Sequence, residues 1–179
     1  MEDKKLKNDD LERKTVDEFK TTVKKPIVVL LDNVRSLHNV GSVFRTADAF
    51  VIEKLYLCGY TGAPPNKEIN KTALGATESV NWEHTQDILT IINELKQQGY
   101  IICAVEQTEK ALQLHNLDID INKKYALIFG NEVEGVQQEV INKCDLVIEI
   151  AQGGTKHSLN VSVSAGVVLW EFFKKMKNN

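Results

Sequence analysis

The stretch "PIVVLLDNVRSLHNVGSVFRTADAF" (residues 26–50) decides the fold, because it joins a buried strand directly to an amphipathic helix. Its first part, "PIVVLLD" (26–32), is an unbroken apolar run of the kind found in strands that are buried on both faces. From Asn39 onward, apolar residues recur at helical spacing, at positions 40, 43, 44, 47 and 51. This strand-to-helix unit is typical of a parallel α/β sheet.

The rest of the chain repeats this alternation of strands and helices. Four further apolar runs predict strands: "KLYLCG" (54–59), "YIICAVE" (100–106), "YALIFG" (125–130) and "LVIEIA" (146–151). Helical periodicity predicts one helix within residues 84–100, which Gly99 ends, and a last helix from about Ser158 to Lys177. We expect "APPNKEINKTALGA" (63–76) to be a loop with a short helix. The predicted fold is a mostly parallel sheet with helices on both faces.

The length of 179 residues fits a single domain, which we place at residues 25–179. Residues 1–24 form a charged N-terminal extension with few, widely spaced apolar residues, so we expect a helix or a partly ordered arm there. No apolar run approaches the roughly 20 residues of a membrane span, and the first residues do not resemble a secretory signal. We therefore expect a cytoplasmic protein without a membrane partner.

The cysteines and the overall charge bear on the class of function. Cys58, Cys103 and Cys144 are far apart and form no C-x-x-C pair, which indicates reduced, mostly buried thiols and neither a metal site nor a disulfide. The net charge of −3 does not indicate a nucleic-acid-binding protein, but phosphate contacts need only a local basic patch. A nucleic-acid partner therefore stays open.

Polar residues concentrate after three of the predicted strands, where the loops of a parallel sheet usually bind ligands. These loops are "DNVRSLHNVG" (32–41), "GNEVEG" (130–135) and "AQGGTKHSLN" (151–160). In the first loop, Asn39 is suited to cap the helix, and Gly41 lets another group approach its first turn. Arg45 lies outside the apolar stripe, and taken alone it fits a solvated surface residue better than a functional one.

The second and third loops are also open to two interpretations. Gly130 and Gly135 fit a tight turn, and Glu132 could simply lie at a helix start, where the helix dipole favours a carboxylate. Neither loop contains G-x-G-x-x-G or G-x-x-x-x-G-K-[ST], so no nucleotide phosphate site is indicated. His157 and Ser158 do not indicate a hydrolase, because no G-x-S-x-G elbow precedes them. The small residues within 162–166 predict that something packs closely against the last helix.

Taken in order, three segments make a more specific pattern: "NVGSVFR" (39–45), "FGNEVEG" (129–135) and "HSLNVSVSAG" (157–166). They resemble the three motifs of the SpoU, or TrmH-like, family of SPOUT methyltransferases, and the resemblance extends over residues 26–175. It implies a Rossmann-like sheet with a deep C-terminal trefoil knot, and a homodimer. It also implies binding of S-adenosylmethionine and methyl transfer to a ribose 2′-hydroxyl of tRNA or rRNA. The short basic extension, with no added RNA-binding domain, favours tRNA slightly.

The resemblance assigns catalytic roles by position. Arg45 resembles the residue that acts at the 2′-hydroxyl and the adjacent phosphate, Asn39 the residue that orients it, and Glu132 the acidic residue that supports both. Ser158 and Asn160 resemble the polar pair beside cofactor and substrate. The other implied contacts are with the cofactor, from Leu127, Phe129, Gly130, Ile150, Ser158 and Leu159. On charge alone, and not from a motif, Lys24, Lys25, Arg35 and Lys156 join Arg45 as candidate contacts with RNA.

Both the role of Arg45 and the function leave alternatives. A guanidinium group hardly deprotonates, so Arg45 is as well suited to clamp a phosphate and stabilise the developing alkoxide as to act as a general base. A catalytically silent RNA-binding or ribosome-assembly protein with the same fold is the alternative function. An α/β enzyme that uses a dinucleotide is a further alternative, and the missing glycine fingerprint counts against it.

Overall fold

The computed structural model describes residues 3–7 and 10–177, and in this part of the chain seven strands form one sheet. The sheet has the order β3-β2-β1-β6-β4-β7-β5, and every neighbouring pair is parallel. The strands are β1 (Lys25–Asp32), β2 (Ile52–Cys58), β3 (Trp82–Thr85), β4 (Tyr100–Val105), β5 (Leu112–Gln113), β6 (Lys124–Phe129) and β7 (Leu146–Glu149). The parallel α/β sheet and its five predicted strands are confirmed.

Two strands, β3 and β5, were not predicted from the sequence. They lie at the two edges of the sheet. β3 is four residues long and only partly buried, and β5 has only two residues. An edge strand of this length has no need of the long apolar run that marks a central strand. Sequence periodicity therefore could not find them.

The helices lie between the strands along the chain. They are α1 (Val16–Thr21), α2 (Leu37–Ala49), α3 (Lys67–Ala73), α4 (Ala76–Ser79), α5 (Ile88–Gln97), α6 (Gln138–Ile141) and α7 (Val161–Lys177). The helix predicted within residues 84–100 is α5, and Gly99 follows it in the left-handed conformation that ends helices, with φ of +82°. None of the helices in the described residues combines the length and apolar character that a membrane span requires.

Two predicted helix starts were wrong because other side chains cap these helices. Asn39 does not cap α2; Ser36 does, and its Oγ accepts a hydrogen bond from the backbone N–H of Asn39 at 3.3 Å. The last helix starts at Val161 and not at Ser158, because Asn160 Oδ1 accepts from the backbone N–H of Ser162 at 2.9 Å. In both cases the cap lies two or three residues from its predicted place.

The N-terminal extension contains one α-helix in its described part. This helix is α1, and a capping box between Thr15 and Glu18 fixes its start. Phe19 anchors α1, since its ring is buried. The helix predicted for residues 1–24 is therefore short, and the division at residue 25 stays a prediction.

Helices cover both faces of the sheet, and the alternating side chains of β1 show how. Val29 and Leu31 point to the face that packs against α2 and α7, where Phe44 and Phe172 are fully buried. Leu30 points to the opposite face, which α5 and α6 cover. Burial on both faces explains why β1 is apolar throughout.

The strand order reverses between β1 and β6, which places the loops after β1 and β6 side by side. Leu31 pairs with Phe129, so the two strands end at the same level of the sheet. Val105 of β4 pairs with both Phe129 and Ile148 of β7, so β7 ends there as well. All three polar loops singled out in the sequence therefore meet at one edge. The trefoil knot stays a prediction.

Gly41 is required by close packing between α2 and α3. A Cβ atom at Gly41 would lie 2.2 Å from the carbonyl oxygen of Ile69 and 2.2 Å from Thr72 Oγ1. The close approach that the sequence predicted at this glycine is therefore confirmed, and the group that approaches is the backbone of α3.

We expect Gly41→Val to lower the free energy of unfolding by about 2 kcal/mol, since overpacking against backbone atoms forces a shift of α3. Chemical denaturation measures this change. Gly154→Val is the control, because a Cβ atom at Gly154 would meet nothing within 4 Å. Equal unfolding midpoints for the two variants would show that α2 and α3 can separate at no cost.

Candidate active site

A pocket of about 470 Å³ opens at the carboxyl edge of the sheet, between the loops that follow β4, β6 and β7. This volume is in the usual range for small-molecule sites, about 300–1,000 Å³. Its apolar lining includes Phe129, Ile148, Ile150 and Leu159. Four glutamates also line it: Glu106, Glu132, Glu134 and Glu149. None of its described lining residues is a lysine or an arginine.

The loop after β6 is a rigid turn closed on itself. Asn131 and Gly135 exchange backbone hydrogen bonds of 3.2 and 3.1 Å, and Asn131 Oδ1 accepts from the backbone N–H of Val133 at 2.8 Å. A Cβ atom at Gly130 would lie 2.0 Å from the carbonyl carbon of Gly135, so the turn closes only with glycine there. The turn presents Glu132 to the loop after β1.

The carboxylate of Glu132 accepts three hydrogen bonds from that loop. The backbone N–H groups of Arg35 and Ser36 donate at 3.2 Å each, and Asn39 Nδ2 donates at 2.8 Å. Since Ser36 caps α2, the carboxylate lies where a helix start favours negative charge. Glu132 therefore ties the second polar loop to the first.

The pKa of Glu132 lies below its usual value. Partial burial opposes ionisation, but the hydrogen bonds from the Asn39 side chain and from the backbone of Arg35 and Ser36 outweigh it. The carboxylate is therefore ionised at neutral pH. Its stabilising contribution is lost only as the pH falls through the lowered pKa.

Asn39 continues the connection to the third loop. Its Oδ1 accepts a hydrogen bond from Asn160 Nδ2 at 3.1 Å. The Oδ1 of Asn160 in turn accepts from the backbone N–H and the hydroxyl of Ser162, at 2.9 and 2.7 Å. We call Glu132, Asn39 and Asn160 the polar row, since these three side chains join three loops that are distant in sequence.

Sequence analysis missed Asp32, which it used only as the end of a strand. Asp32 is 1% exposed, and its carboxylate accepts from the backbone N–H of Gln137 at 3.1 Å and from Gln137 Nε2 at 2.7 Å. Asn33 Nδ2 adds a third hydrogen bond at 2.9 Å. This buried carboxylate holds the loop after β6 against the end of β1. An acidic residue that ends an apolar run was the available signal.

Glu106 and Gln107, which follow β4, were also missed. Glu106 accepts from the backbone N–H of Val136 at 3.0 Å, and Gln107 Nε2 donates to the carbonyl of His157 at 2.6 Å. They fix the loops after β6 and β7 that form the pocket. Partners so far apart in the chain leave no signal in a single sequence.

The pocket brings together most of the residues predicted to bind the cofactor. Five of the six line it: Phe129, Gly130, Ile150, Ser158 and Leu159. Leu127 does not, because it is fully buried in the core. Ala165 is also fully buried. A Cβ atom at Gly166 would meet nothing within 4 Å, so the close packing predicted for residues 162–166 is not found at this glycine.

Arg45 stands apart from the polar row. It is exposed on α2, and it forms no hydrogen bond or ion pair with a residue that the structure describes. It follows Asn39 by six residues, which is roughly 9 Å along a helix axis. The guanidinium group is therefore free to bind a charged partner from outside.

The residues predicted to bind RNA divide into two groups. Arg35, Arg45 and Lys156 are exposed. Lys24 and Lys25 lie at the amino end of β1, roughly 23 Å from the pocket edge by the rise of a strand. Lys24 covers the ring of Phe19, and Lys25 Nζ donates to the carbonyl of Met176 at 2.6 Å. The structure does not bring these two lysines to the site.

Comparison with known proteins agrees with this geometry. The sequence model of the SpoU rRNA Methylase family matches residues 26–170, which include all three loops. The chain belongs to this family. Its solved relatives include the TrmH/SpoU tRNA modifying enzyme of A. aeolicus, with 28% identity, a TM-score of 0.81, and coverage of 91% of this chain and 81% of that one.

Two other relatives are longer than this chain. An AdoMet-bound rRNA methyltransferase from Sinorhizobium meliloti has 26% identity and a TM-score of 0.77, over 84% of this chain and 56% of that one. The 23S rRNA (guanosine-2′-O-)-methyltransferase RlmB of Neisseria meningitidis is 32% identical over 146 residues, which are 82% of this chain and 57% of that protein. The chain thus spans little more than half of the curated relatives it matches.

We expect Asn39→Asp to disrupt the polar row at pH 7, because it places a second carboxylate against Glu132. The expected loss in the free energy of unfolding is about 1 kcal/mol. Like charges raise the pKa of one of the two carboxyls, so the loss should shrink as the pH falls through that raised value. Denaturant unfolding at pH 7 and pH 4 measures it.

The double variant Asn39→Asp/Glu132→Gln is the control, since it removes the repulsion and should recover part of the lost stability at pH 7. A deficit in Asn39→Asp that is the same at both pH values would contradict a charge contact between these side chains.

Proposed function

We propose that this chain is an S-adenosylmethionine-dependent RNA methyltransferase that acts in the cytoplasm on a ribose 2′-hydroxyl. The polar row carries the proposal, because it joins the three family motifs beside one pocket. Relatives named as tRNA and as rRNA enzymes are both similar to the chain. We retain tRNA as the first substrate to test, with rRNA nearly equal.

The pocket fits S-adenosylmethionine chemically. The cofactor carries a sulfonium and an ammonium group, both cationic, and the four glutamates that line the pocket favour positive charge. The apolar lining residues suit the adenine ring. The described lining residues include no lysine or arginine that would repel these cationic groups. When bound, the cofactor would supply the methyl group.

The chain's own residues would position the ribose. The polar row fixes the side-chain amides of Asn160, which lines the pocket, and of Asn39, which is bonded to Asn160 and Glu132. Preorganised groups of this kind align the 2′-hydroxyl with the methyl donor, and alignment contributes much of a transfer rate. Ser158, which also lines the pocket, would contact cofactor or substrate.

Arg45 would act as a cationic clamp. Its guanidinium keeps its proton at neutral pH and so would not take the ribose proton. As the oxygen–methyl bond formed and the methyl–sulfur bond broke, the 2′-hydroxyl proton would pass to solvent water, and S-adenosylhomocysteine would leave. It is exposed and has no acidic partner among the described residues, which leaves it able to bind a phosphate and stabilise developing negative charge. A catalytically silent RNA-binding protein would not need the motif residues that this chain retains.

The experiment that tests this proposal is transfer of labelled methyl from S-adenosylmethionine to tRNA and, separately, to rRNA. We expect label in one pool, and a loss of at least about a hundredfold in Arg45→Ala, the size seen when a charge-stabilising group is removed. Cofactor affinity should be unchanged, because Arg45 does not line the pocket.

Lys143→Ala is the matched control, since Lys143 is exposed just before the amino end of β7, away from the pocket. Full activity in Arg45→Ala would overturn the role of this residue. Cofactor binding without label in either RNA pool would favour the silent RNA-binding alternative.

We also propose that the chain is a homodimer, paired through α7. Val163, Val167 and Trp170 form an apolar stripe on this helix and are 50%, 40% and 50% exposed. Phe50 extends the surface, with its ring centroid 5.9 Å from that of Trp170. The open space beside Gly166 leaves room for another backbone. A second copy that covers this stripe would bury it in both chains.

We expect Trp170→Glu to separate the dimer, because a charge would be buried within the apolar interface. Light scattering after size exclusion measures the molar mass. Leu112→Glu is the control, since Leu112 is 46% exposed on the edge strand β5. A wild-type chain that is monomeric at all concentrations would refute the dimer.

A further inference from the structure

Tyr60 is the most exposed large aromatic side chain of the described residues, with 88% of its surface open to solvent. It lies in the turn that follows β2, at the same edge of the sheet as the pocket. An isolated apolar residue on a surface is ordinary, but several hydrogen bonds hold the backbone around this one in place. These bonds involve the residues before and after Tyr60, Gly59 and Thr61.

The conformation of this turn depends on Asn33, which follows β1. Asn33 adopts the left-handed conformation with φ of +56°, and its Oδ1 accepts from the backbone N–H of Tyr60 at 2.9 Å. A Cβ atom at Gly59 would lie 2.2 Å from Asn33 Oδ1, so only glycine lets the amide reach its place. The backbone N–H of Gly59 donates to the carbonyl of Thr85 at 2.8 Å, and the ring of His84 contacts the carbonyl of Gly59 at 3.1 Å.

The same turn is bonded directly to the loop that forms the polar row. Thr61 is 2% exposed, and its Oγ1 accepts from the backbone N–H of Val34 at 2.9 Å and donates to the carbonyl of Leu31 at 3.0 Å. The next residue, Arg35, donates its backbone N–H to Glu132. By the reach of the chain, the Cα atom of Tyr60 lies within about 20 Å of the Glu132 carboxylate.

Two exposed cations lie on the segments that adjoin this turn. Arg35 and Lys67 are exposed, and neither side chain forms an ion pair with a residue that the structure describes. Lys67 begins α3, which packs beside the turn, since a Cβ atom at Gly62 would contact Ile69. We call Tyr60, Arg35 and Lys67 the Tyr60 surface. Its one aromatic ring and two cations without an ion pair among the described residues distinguish it from the apolar α7 stripe proposed to bind a second copy of the chain.

We infer that the Tyr60 surface binds an unpaired nucleotide of the RNA substrate, near the one that is methylated. The ring stacks on the base, and Arg35 and Lys67 contact the adjoining phosphates. Proteins bind single-stranded RNA by this combination of aromatic stacking and cationic contacts, whereas a duplex keeps its bases stacked inside. The inference rests on the proposed function and specifies the form of its substrate: the target lies in a loop or bulge.

The test uses the full chain and RNA in unmodified form, from whichever of the tRNA and rRNA pools accepts the methyl group. We expect Tyr60→Ala to weaken RNA binding and raise KM for RNA by about 5- to 100-fold, with kcat at saturating RNA almost unchanged. Tyr60→Phe keeps the ring and should stay within about twofold of the wild type. Leu112→Ala is the control for loss of an exposed apolar side chain.

Cofactor affinity and the thermal midpoint of Tyr60→Ala should equal those of the wild type, because the ring contributes nothing to the core. A perfect duplex used as competitor should bind both proteins equally. Tyr60→Ala with wild-type RNA affinity and KM would overturn the inference while leaving the proposed function intact. A wild type that neither binds nor methylates RNA would overturn both.

Discussion

The reversal of strand order between β1 and β6 is the constraint on which the rest of the structure depends. Leu31 and Phe129 pair across it, so two strands about a hundred residues apart in the chain end side by side. Asp32 then binds Gln137 and fixes the second loop at that point. Because Asp32 is 1% exposed, loss of both bonds from Gln137 would leave a buried carboxyl group with Asn33 as its remaining donor. The pocket and the polar row are built on this junction.

Charge divides the carboxyl edge of the sheet into two surfaces. The pocket is lined by four glutamates, which suit a cationic cofactor. Exposed Arg35 and Lys67 lie outside it, and exposed Arg45 lies farther along α2. The net charge of −3 does not reveal this arrangement, because it sums the charges of both surfaces. A cation and a polyanion can therefore both bind at one edge of an acidic protein, each beside the opposite charge.

Much of the fold follows from patterns that are local in the sequence. Each central strand is an apolar run, because a strand between two helical layers buries both faces. The stripe on α2 predicted which side of the helix faces the core, and Val40, Val43, Phe44 and Ala47 are fully buried there. Gly41 predicted a close approach. The three loops were found because polar and glycine residues follow apolar runs, and their order along the chain gave the family.

The contacts between those loops were decided by the tertiary structure. From the sequence, Asn39 was expected to cap α2. Its side chain instead forms hydrogen bonds with Glu132 and Asn160, which are both about a hundred residues away in the chain. Leu127 belongs to a motif strand, yet its pairing in the sheet buries it beneath the pocket. Tyr60 belongs to none of the three sequence motifs. Its position beside the first loop depends on the hydrogen bonds of Asn33 and Thr61. The sequence by itself determined the elements and the family, because apolar periodicity and motif spacing are local. Only the folded chain determined the contacts between loops, because hydrogen bonds between distant residues depend on which strands lie side by side.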